Sequence, residues 1–152
     1  MKEDIKHNLM TIDTLISLAI ILSLLGLGDT VFLAIKHYQG APVTCIILEG
    51  CDVVTTSSYS VVWGIPLAVL GAAYYASLFA MLLFFSVKKA NIIFQLTLGV
   101  AILGFLVSCY LTYLQVFVIG AICVYCVFSA LLTTLILFIS FLAIKKKVYQ
   151  HE

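Results

Sequence analysis

Cysteines are the chemically most distinctive residues of this chain: it has five, and four of them form two pairs. Five residues separate Cys45 from Cys51, while Cys123 and Cys126 belong to a Cys-Val-Tyr-Cys motif. Two cysteines three positions apart on a helix project from the same face and can react with each other. At a helix start, the unpaired N–H groups and the helix dipole favour a thiolate. The two pairs therefore predict thiol–disulfide exchange.

Other uses of the same cysteines remain open at this point. Both pairs could be structural disulfides, or the four thiolates could bind zinc. Zinc sites usually combine two Cys-x₂₋₄-Cys units, and the spacing of Cys45 and Cys51 fits that pattern poorly. We expect the fifth cysteine, Cys109, to be a small buried apolar residue, because free cysteines often have that role.

The composition indicates that lipid surrounds most of the chain. Hydrophobic residues make up 64% of the 152 residues and charged residues only 10%, with a mean hydropathy of +1.22. An ordinary soluble domain is roughly 25% charged, and one of this size cannot hide so much apolar surface. The net charge of +1 gives no support to nucleic-acid binding. The three histidines are scattered and do not suggest a metal centre.

Four segments have the roughly 20 apolar residues that a helix needs to cross a bilayer. We therefore predict an all-α integral membrane protein, a four-helix bundle forming one domain over residues 1–152. The first segment exceeds the roughly 7–15 apolar residues of a signal peptide, so we expect it to be retained. The predicted spans are residues 15–35, 66–87, 92–114 and 121–144.

The connections between the spans predict where the cysteines lie. Lysines flank the chain termini and the second connection, and only Lys36 adjoins the first connection. The positive-inside rule then places both termini in the cytoplasm. The loop at residues 36–65 and the start of the fourth span therefore share the extracytoplasmic side, where disulfides persist. This loop is long, and long loops are usually functional, so we expect it to cap the outer end of the bundle.

The motifs also resemble those of a known family. Residues 45–71 read CIILEGCDVVTTSSYSVVWGIPLAVLG, and residues 123–126 read CVYC at the head of the fourth span. This combination of a loop cysteine, Gly-Cys, a serine, Gly-Ile-Pro and a late Cys-x-x-Cys resembles the vitamin K epoxide reductase family over nearly the whole chain. Disulfide oxidases that carry the Cys-x-x-Cys motif in the first outer loop fit less well.

The resemblance implies an electron relay between a thioredoxin-fold protein and a membrane quinone. Cys45 would exchange with the protein partner, Cys51 with Cys123, and Cys126 would face the quinone. Many bacterial members carry a fused thioredoxin-like domain, and here we expect a separate partner. The quinone could be ubiquinone, menaquinone or vitamin K, and no metal is implied. Whether Cys51 rests bonded to Cys45 or to Cys123 stays open.

Three further residues are candidates for the site. Ser57 matches a family serine or threonine, and the resemblance implies that its hydroxyl binds a quinone oxygen. Without the family, the serine would be assigned to a turn or a helix cap. Tyr59 could line the same site or anchor the loop at the membrane interface. Asp29 lies inside the first span, where a carboxylate is either functional or close enough to the interface to reach water.

Two alternative functions also remain open. The physiological direction could be reduction of a vitamin K epoxide or quinone. A protein of another class, a four-span scaffold, would keep Cys45–Cys51 only as a structural bridge in the loop. A reducible Cys123–Cys126 pair at a helix start favours the redox hypothesis, because a scaffold does not need such a pair.

Overall fold

The protein is described by a computed structural model that covers residues 2–43 and 50–148, with side chains for residues 12–43 and 50–144. Its described part is almost entirely helical. The α-helices are α1 (Lys2–Tyr38), α2 (Cys51–Thr56), α3 (Leu67–Lys88), α4 (Asn91–Tyr113) and α5 (Val124–Val148). Of the site residues predicted from the sequence, Cys45 lies outside the described residues.

Four helical segments are long and apolar enough to cross a membrane. They are Ile12–Tyr38, Leu67–Lys88, Asn91–Ile119 and Val124–Ile144. Helices satisfy all their backbone hydrogen bonds internally, which is why they can cross lipid. The prediction of an all-α membrane bundle with four spans is confirmed.

The four spans form a closed ring in which α1 and α4 each pack against both α3 and α5. Buried side chains follow one another in layers along the bundle axis. The middle layer is built around Tyr75, Leu78 and Ile136, and a layer near the chain termini around Ile16 and Phe85. Many large apolar side chains point outward, as expected for helices that face lipid.

A close contact between α1 and α3 depends on a glycine. A Cβ atom at Gly26 would lie only 2.3 Å from the ring of Tyr75, so only glycine leaves room for this ring. The Tyr75 hydroxyl in turn lies 2.8 Å from the Ser129 carbonyl oxygen and 2.9 Å from the Thr133 hydroxyl. Tyr75 therefore links three of the four spanning helices.

The described residues between α1 and α3 fold over one end of the bundle. After α2 come a 3₁₀ turn at Ser58–Ser60 and a two-stranded hairpin, which pairs Val61–Val62 with Ile65–Pro66. The turn residues Trp63 and Gly64 both have positive φ, at 51° and 82°. Such a turn matches the twist of paired strands. It leaves the Trp63 side chain 99% exposed.

Some helix boundaries differ from the sequence prediction. The third span does not end at residue 114, because α4 continues as a π-helix over Leu114–Ile119. Gly120, with φ at +69°, ends this π-helix. The fourth spanning helix begins at Val124 rather than at residue 121, so residues 121–123 are a short non-helical link. The first helix also extends further than predicted, from Lys2 to Tyr38.

Candidate functional site

Cys51 is the first residue of α2 and is held close to the start of α5. The preceding residue, Gly50, lies against the backbone of Ile122: a Cβ on Gly50 would be 2.6 Å from the Ile122 carbonyl oxygen. The Cys51 side chain is completely buried and its sulfur is disulfide-bonded. The segment over residues 50–66, which we call the cap, thus brings Cys51 to the end of the bundle at which α5 begins.

Cys123 is the capping residue of α5. Its carbonyl oxygen accepts a hydrogen bond from the Val127 N–H at 3.0 Å, which is the first hydrogen bond of the helix. Its own N–H donates to Oε1 of Gln115 at 2.9 Å, so the π-helical end of α4 fixes its position. The predicted fourth span, residues 121–144, placed Cys123 inside the helix, whereas the structure places it one residue before α5. Cys126 does lie in the first turn of α5.

The surroundings of Cys123 favour its thiolate. The Cys126 thiol donates a hydrogen bond to it, and the backbone N–H groups of Cys126 and Tyr125 add to this effect. Together they outweigh burial and lower the pKa of Cys123 to about 7. Because the thiolate is the nucleophile in disulfide exchange, Cys123 is prepared to attack at neutral pH.

The three described loop and motif cysteines lie together. Cys51 and Cys123 are both fully buried, in one apolar cluster with Leu33 and Val54, and Cys126 packs against this cluster. Cys123 and Cys126 are free, so a Cys51–Cys123 bond is not formed. The arrangement keeps water away from Cys51 and Cys123 and allows exchange between them.

The fifth cysteine does not belong to this site. Cys109 is free and exposed on the outer surface of α4, which lies in the lipid-facing region. The prediction that it is a buried packing residue is wrong. An apolar helix that is hydrophobic all round does not reveal which of its faces points inward.

A cavity of about 140 Å³ lies beside the cysteine cluster and is open on one side. Cys126 lines it, and so do Ser57 and Tyr59 from the cap. Most of the wall is apolar, including Leu67 of α3 and Leu111 of α4. Ligand sites commonly combine an apolar wall with a few polar groups. The structure therefore brings Cys126 and the two predicted ligand-binding residues together around one space.

The two cap residues enter this cavity differently. The Ser57 hydroxyl donates to the Val54 carbonyl oxygen at 2.7 Å, the helix-capping role that the sequence alone suggested. Its lone pairs can still accept a hydrogen bond, and rotation about χ1 would free the proton for a ligand. Tyr59 lies in the 3₁₀ turn and is half exposed, so it forms part of the cavity rim.

Sequence reasoning missed some polar residues of the site. Gln115 and His37 line the cavity, and Asp29, whose role was left open, lines it as well. The spacing of Asp29, Leu33 and His37 at four-residue intervals on α1 could have indicated a shared face. For Gln115 the available signal was one amide in an otherwise apolar stretch.

The described residues offer no evident metal site. Within residues 2–43 and 50–148, no three His, Cys, Asp or Glu side chains are grouped closely enough to hold an ion. A zinc site would need Cys51 as a thiolate, but this sulfur is disulfide-bonded.

Comparison with known proteins identifies a family and a relative of this chain. The model of the vitamin K epoxide reductase family matches residues 17–141, a stretch that contains both cysteine pairs and the cap. The thiol-disulfide oxidoreductase LTO1 of Arabidopsis thaliana is 32% identical over 132 residues. The match covers 81% of this chain and 35% of LTO1, so the chain spans only about a third of that relative.

Proposed function

The chain belongs to the vitamin K epoxide reductase family, and on that premise we propose that it is a membrane thiol–disulfide oxidoreductase that passes electrons to a quinone. A thioredoxin-fold protein would supply the electrons as a dithiol. The observation that carries the proposal is the order of the sulfurs: Cys51 and Cys123 share a dry cluster, while Cys126 opens onto the cavity.

The proposed relay has two exchange steps. The partner dithiol reduces the loop disulfide through Cys45, and the freed Cys51 thiolate attacks a Cys123–Cys126 disulfide at Cys123. Each step passes through a mixed disulfide and moves two electrons. The attack gives a Cys51–Cys123 mixed disulfide and frees Cys126 as a thiolate. Cys45 then attacks Cys51, which re-forms the loop disulfide and releases Cys123 reduced, so that Cys123 and Cys126 can pass two electrons to the quinone. Its pKa of about 7 makes Cys123 a good participant in exchange at neutral pH.

The quinone would occupy the cavity beside Cys126. A quinone ring is flat and apolar and carries two carbonyl oxygens, which suits an apolar wall with a few hydroxyl groups. Ser57 and Tyr59 are the proposed hydrogen-bond donors to these oxygens. Residues of the spans, among them Leu67 and Leu111, line part of the cavity, so we propose that a lipid-soluble quinone reaches it from the bilayer.

The oxidising direction is the one that we propose for this chain. The relative LTO1 is named for thiol–disulfide oxidoreduction, the same chemistry, although that protein is much longer than this one. Reduction of a vitamin K epoxide or quinone for its own sake would use the same cysteines and cavity. A four-span scaffold would not need a free thiol pair of which one member lines a cavity.

The proposal can be tested with purified protein, a reduced thioredoxin-fold protein and a quinone, by following quinone absorbance. We expect turnover in the wild type and none above background for Cys123→Ala or Cys126→Ala. Cys45→Ala should fail with the protein partner but retain turnover with dithiothreitol. Cys109→Ala is the matched control and should behave as wild type, because Cys109 lies outside the cavity. Full activity of Cys126→Ala would refute the proposed function.

A further inference from the structure

One carboxyl group in the cavity wall has an oxygen that no described residue hydrogen-bonds. Asp29 lies inside the first span, and its Oδ2 is buried without a hydrogen bond to any described residue. Buried polar groups are almost always hydrogen-bonded, and a carboxyl group at membrane depth is costly. A buried carboxyl oxygen without a described partner in a membrane span therefore marks Asp29 as a candidate functional residue.

Several other polar groups of the cavity wall are already hydrogen-bonded. Thr30, next to Asp29, donates to the Gly26 carbonyl oxygen at 2.8 Å. Ser57 donates to Val54, and Gln115 accepts from Cys123. Among the described residues that line the cavity, Asp29 is therefore the one with a buried side-chain oxygen left unpaired.

Asp29 also lies close to the reacting sulfurs. It lines the same cavity as Cys126, so its carboxyl group and the Cys126 sulfur face the same space. The other ionisable groups that line the cavity are His37, Tyr59 and Cys126. His37 is on the same face of α1 but eight residues away, about 12 Å along the helix axis. Asp29 is thus the carboxyl group nearest to the thiol pair within the described cavity.

Quinone reduction needs more protons than the thiol pair holds. Two electrons and two protons convert a quinone into a hydroquinone. Because the pKa of Cys123 is lowered, the reduced pair holds fewer than two protons at neutral pH. A second proton must come from another group that can reach the quinone.

Building on the proposed function, we propose that Asp29 donates this second proton to a bound quinone. In the balanced step, the Cys126 S–H bond breaks and a Cys123–Cys126 disulfide forms. Two electrons pass to the quinone, one oxygen takes the Cys126 proton and the other takes the Asp29 proton. The products are a disulfide, a hydroquinone and the Asp29 carboxylate. Water at the open side of the cavity then returns a proton to Asp29.

The test isolates the quinone step by oxidising pre-reduced protein in a single turnover. Duroquinone is a suitable probe, because its fully substituted ring resists addition of thiols. We expect Asp29→Asn to slow oxidation at least about tenfold, since general acid catalysis contributes roughly 10²–10⁴. The apparent duroquinone affinity should change by less than about threefold. Asp29→Glu, which keeps the acid, should recover most of the rate.

Controls separate this role from a structural one. Asp13→Asn makes the same change on the same helix, at an ion pair with Lys89 far from the cavity, and should match wild type. Reaction of the disulfides with dithiothreitol should be unchanged in Asp29→Asn.

A wild-type rate for Asp29→Asn, or an equal loss in Asp29→Glu, would overturn the proposal while leaving the proposed function intact. A larger loss for His37→Gln than for Asp29→Asn would overturn it in favour of His37. Failure of the wild type to reduce any quinone would overturn both proposals.

Discussion

At the scale of single residues, the two cysteines of one motif have different surroundings. Cys123 is fully buried at a helix cap, where three groups donate to its sulfur. Cys126, one turn further along, opens onto the cavity. The difference suits two roles: Cys123 exchanges with another disulfide, and Cys126 meets a small molecule. Identical side chains three positions apart thus differ through burial and hydrogen bonding.

The thiolate of Cys123 gives a prediction about pH. In a variant with Cys45, Cys51 and Cys109 replaced by alanine, the ultraviolet absorbance of the Cys123 thiolate should rise with pH with a midpoint near 7. The sign follows from the lowered pKa, because the thiolate is present above it and lost below it. A spectrophotometric titration of the purified variant measures this absorbance at each pH.

The same experiment identifies the cause of the lowered pKa. Adding Cys126→Ala removes the first of the three donors, so the midpoint should move to higher pH, toward the value of an ordinary cysteine. The helix-start N–H groups remain and should keep part of the effect. A midpoint that does not move would show that the Cys126 thiol has no influence.

At the scale of elements, the site depends on how α2 and the π-helical end of α4 meet the start of α5. Gly50 lets α2 approach the Ile122 backbone closely, and Gln115 reaches from the π-helix to the Cys123 N–H. π-Helical turns occur often at functional sites. Here the π-helical turn holds the Gln115 side chain against Cys123, the capping residue of α5. These contacts, rather than the spanning helices themselves, align the sulfurs.

Replacing Gly50 with alanine should separate the two exchanging cysteines. The new Cβ would lie 2.6 Å from the Ile122 carbonyl oxygen, so α2 has to shift. We expect quinone reduction driven by the thioredoxin-fold partner to fall about tenfold to a hundredfold, because small displacements of reacting groups are costly. Single-turnover oxidation of reduced Cys123 and Cys126 by the quinone should be unaffected.

The control for this variant is Gly28→Ala, which adds the same methyl group where nothing lies within 4 Å. It should leave both rates unchanged. Equal behaviour of the Gly50 and Gly28 variants would mean that the close approach of α2 to Ile122 does not matter for exchange.

Replacing Gln115 with leucine should destabilise the junction between α4 and α5. Gln115 is buried, and its loss leaves the Cys123 N–H without its acceptor. An unsatisfied buried donor costs about 1–3 kcal/mol, which thermal unfolding in detergent can detect. Gln95→Leu makes the same change at an exposed position of α4 and is the matched control. Equal melting temperatures for the two variants would contradict the assigned role of Gln115.

At the scale of the whole molecule, the bundle has two chemically different ends. The cysteine cluster and the cavity occupy one end, near Lys36. The other carries Lys88 and Lys89, with Lys89 paired to Asp13. Because positive charge favours the cytoplasmic side, this polarity predicts that the cysteine end faces outward. The oxidising face is also where a disulfide relay has to operate.

Labelling can test this orientation. In a variant without native cysteines, a membrane-impermeant maleimide added to intact cells should label Gln39→Cys, at the cysteine end, but not Lys88→Cys. Both positions are exposed, so burial does not explain a difference. Lysis should make both reactive. The reverse pattern in intact cells would place the cysteines in the cytoplasm and remove the basis for a relay at an oxidising face.

The sequence by itself determined the architecture and the shared location of the cysteines. Hydropathy over about 20 residues reports directly on whether a segment can cross lipid, so four spans could be counted without a structure. Successive spans alternate in direction, so the loop before Pro66 and the residues before the fourth span had to meet at one end. The described Cys51, Cys123 and Cys126 do lie together there.

Only the tertiary structure decided which faces, caps and contacts form the site. Spanning helices are apolar almost all round, so their sequences do not reveal which side packs inward. For that reason Cys109 was wrongly expected inside, and the role of Asp29 could not be chosen before the cavity was known. The start of α5 depends on the hydrogen bond from Cys123 to Gln115, a contact between residues of two helices, which local propensity cannot predict.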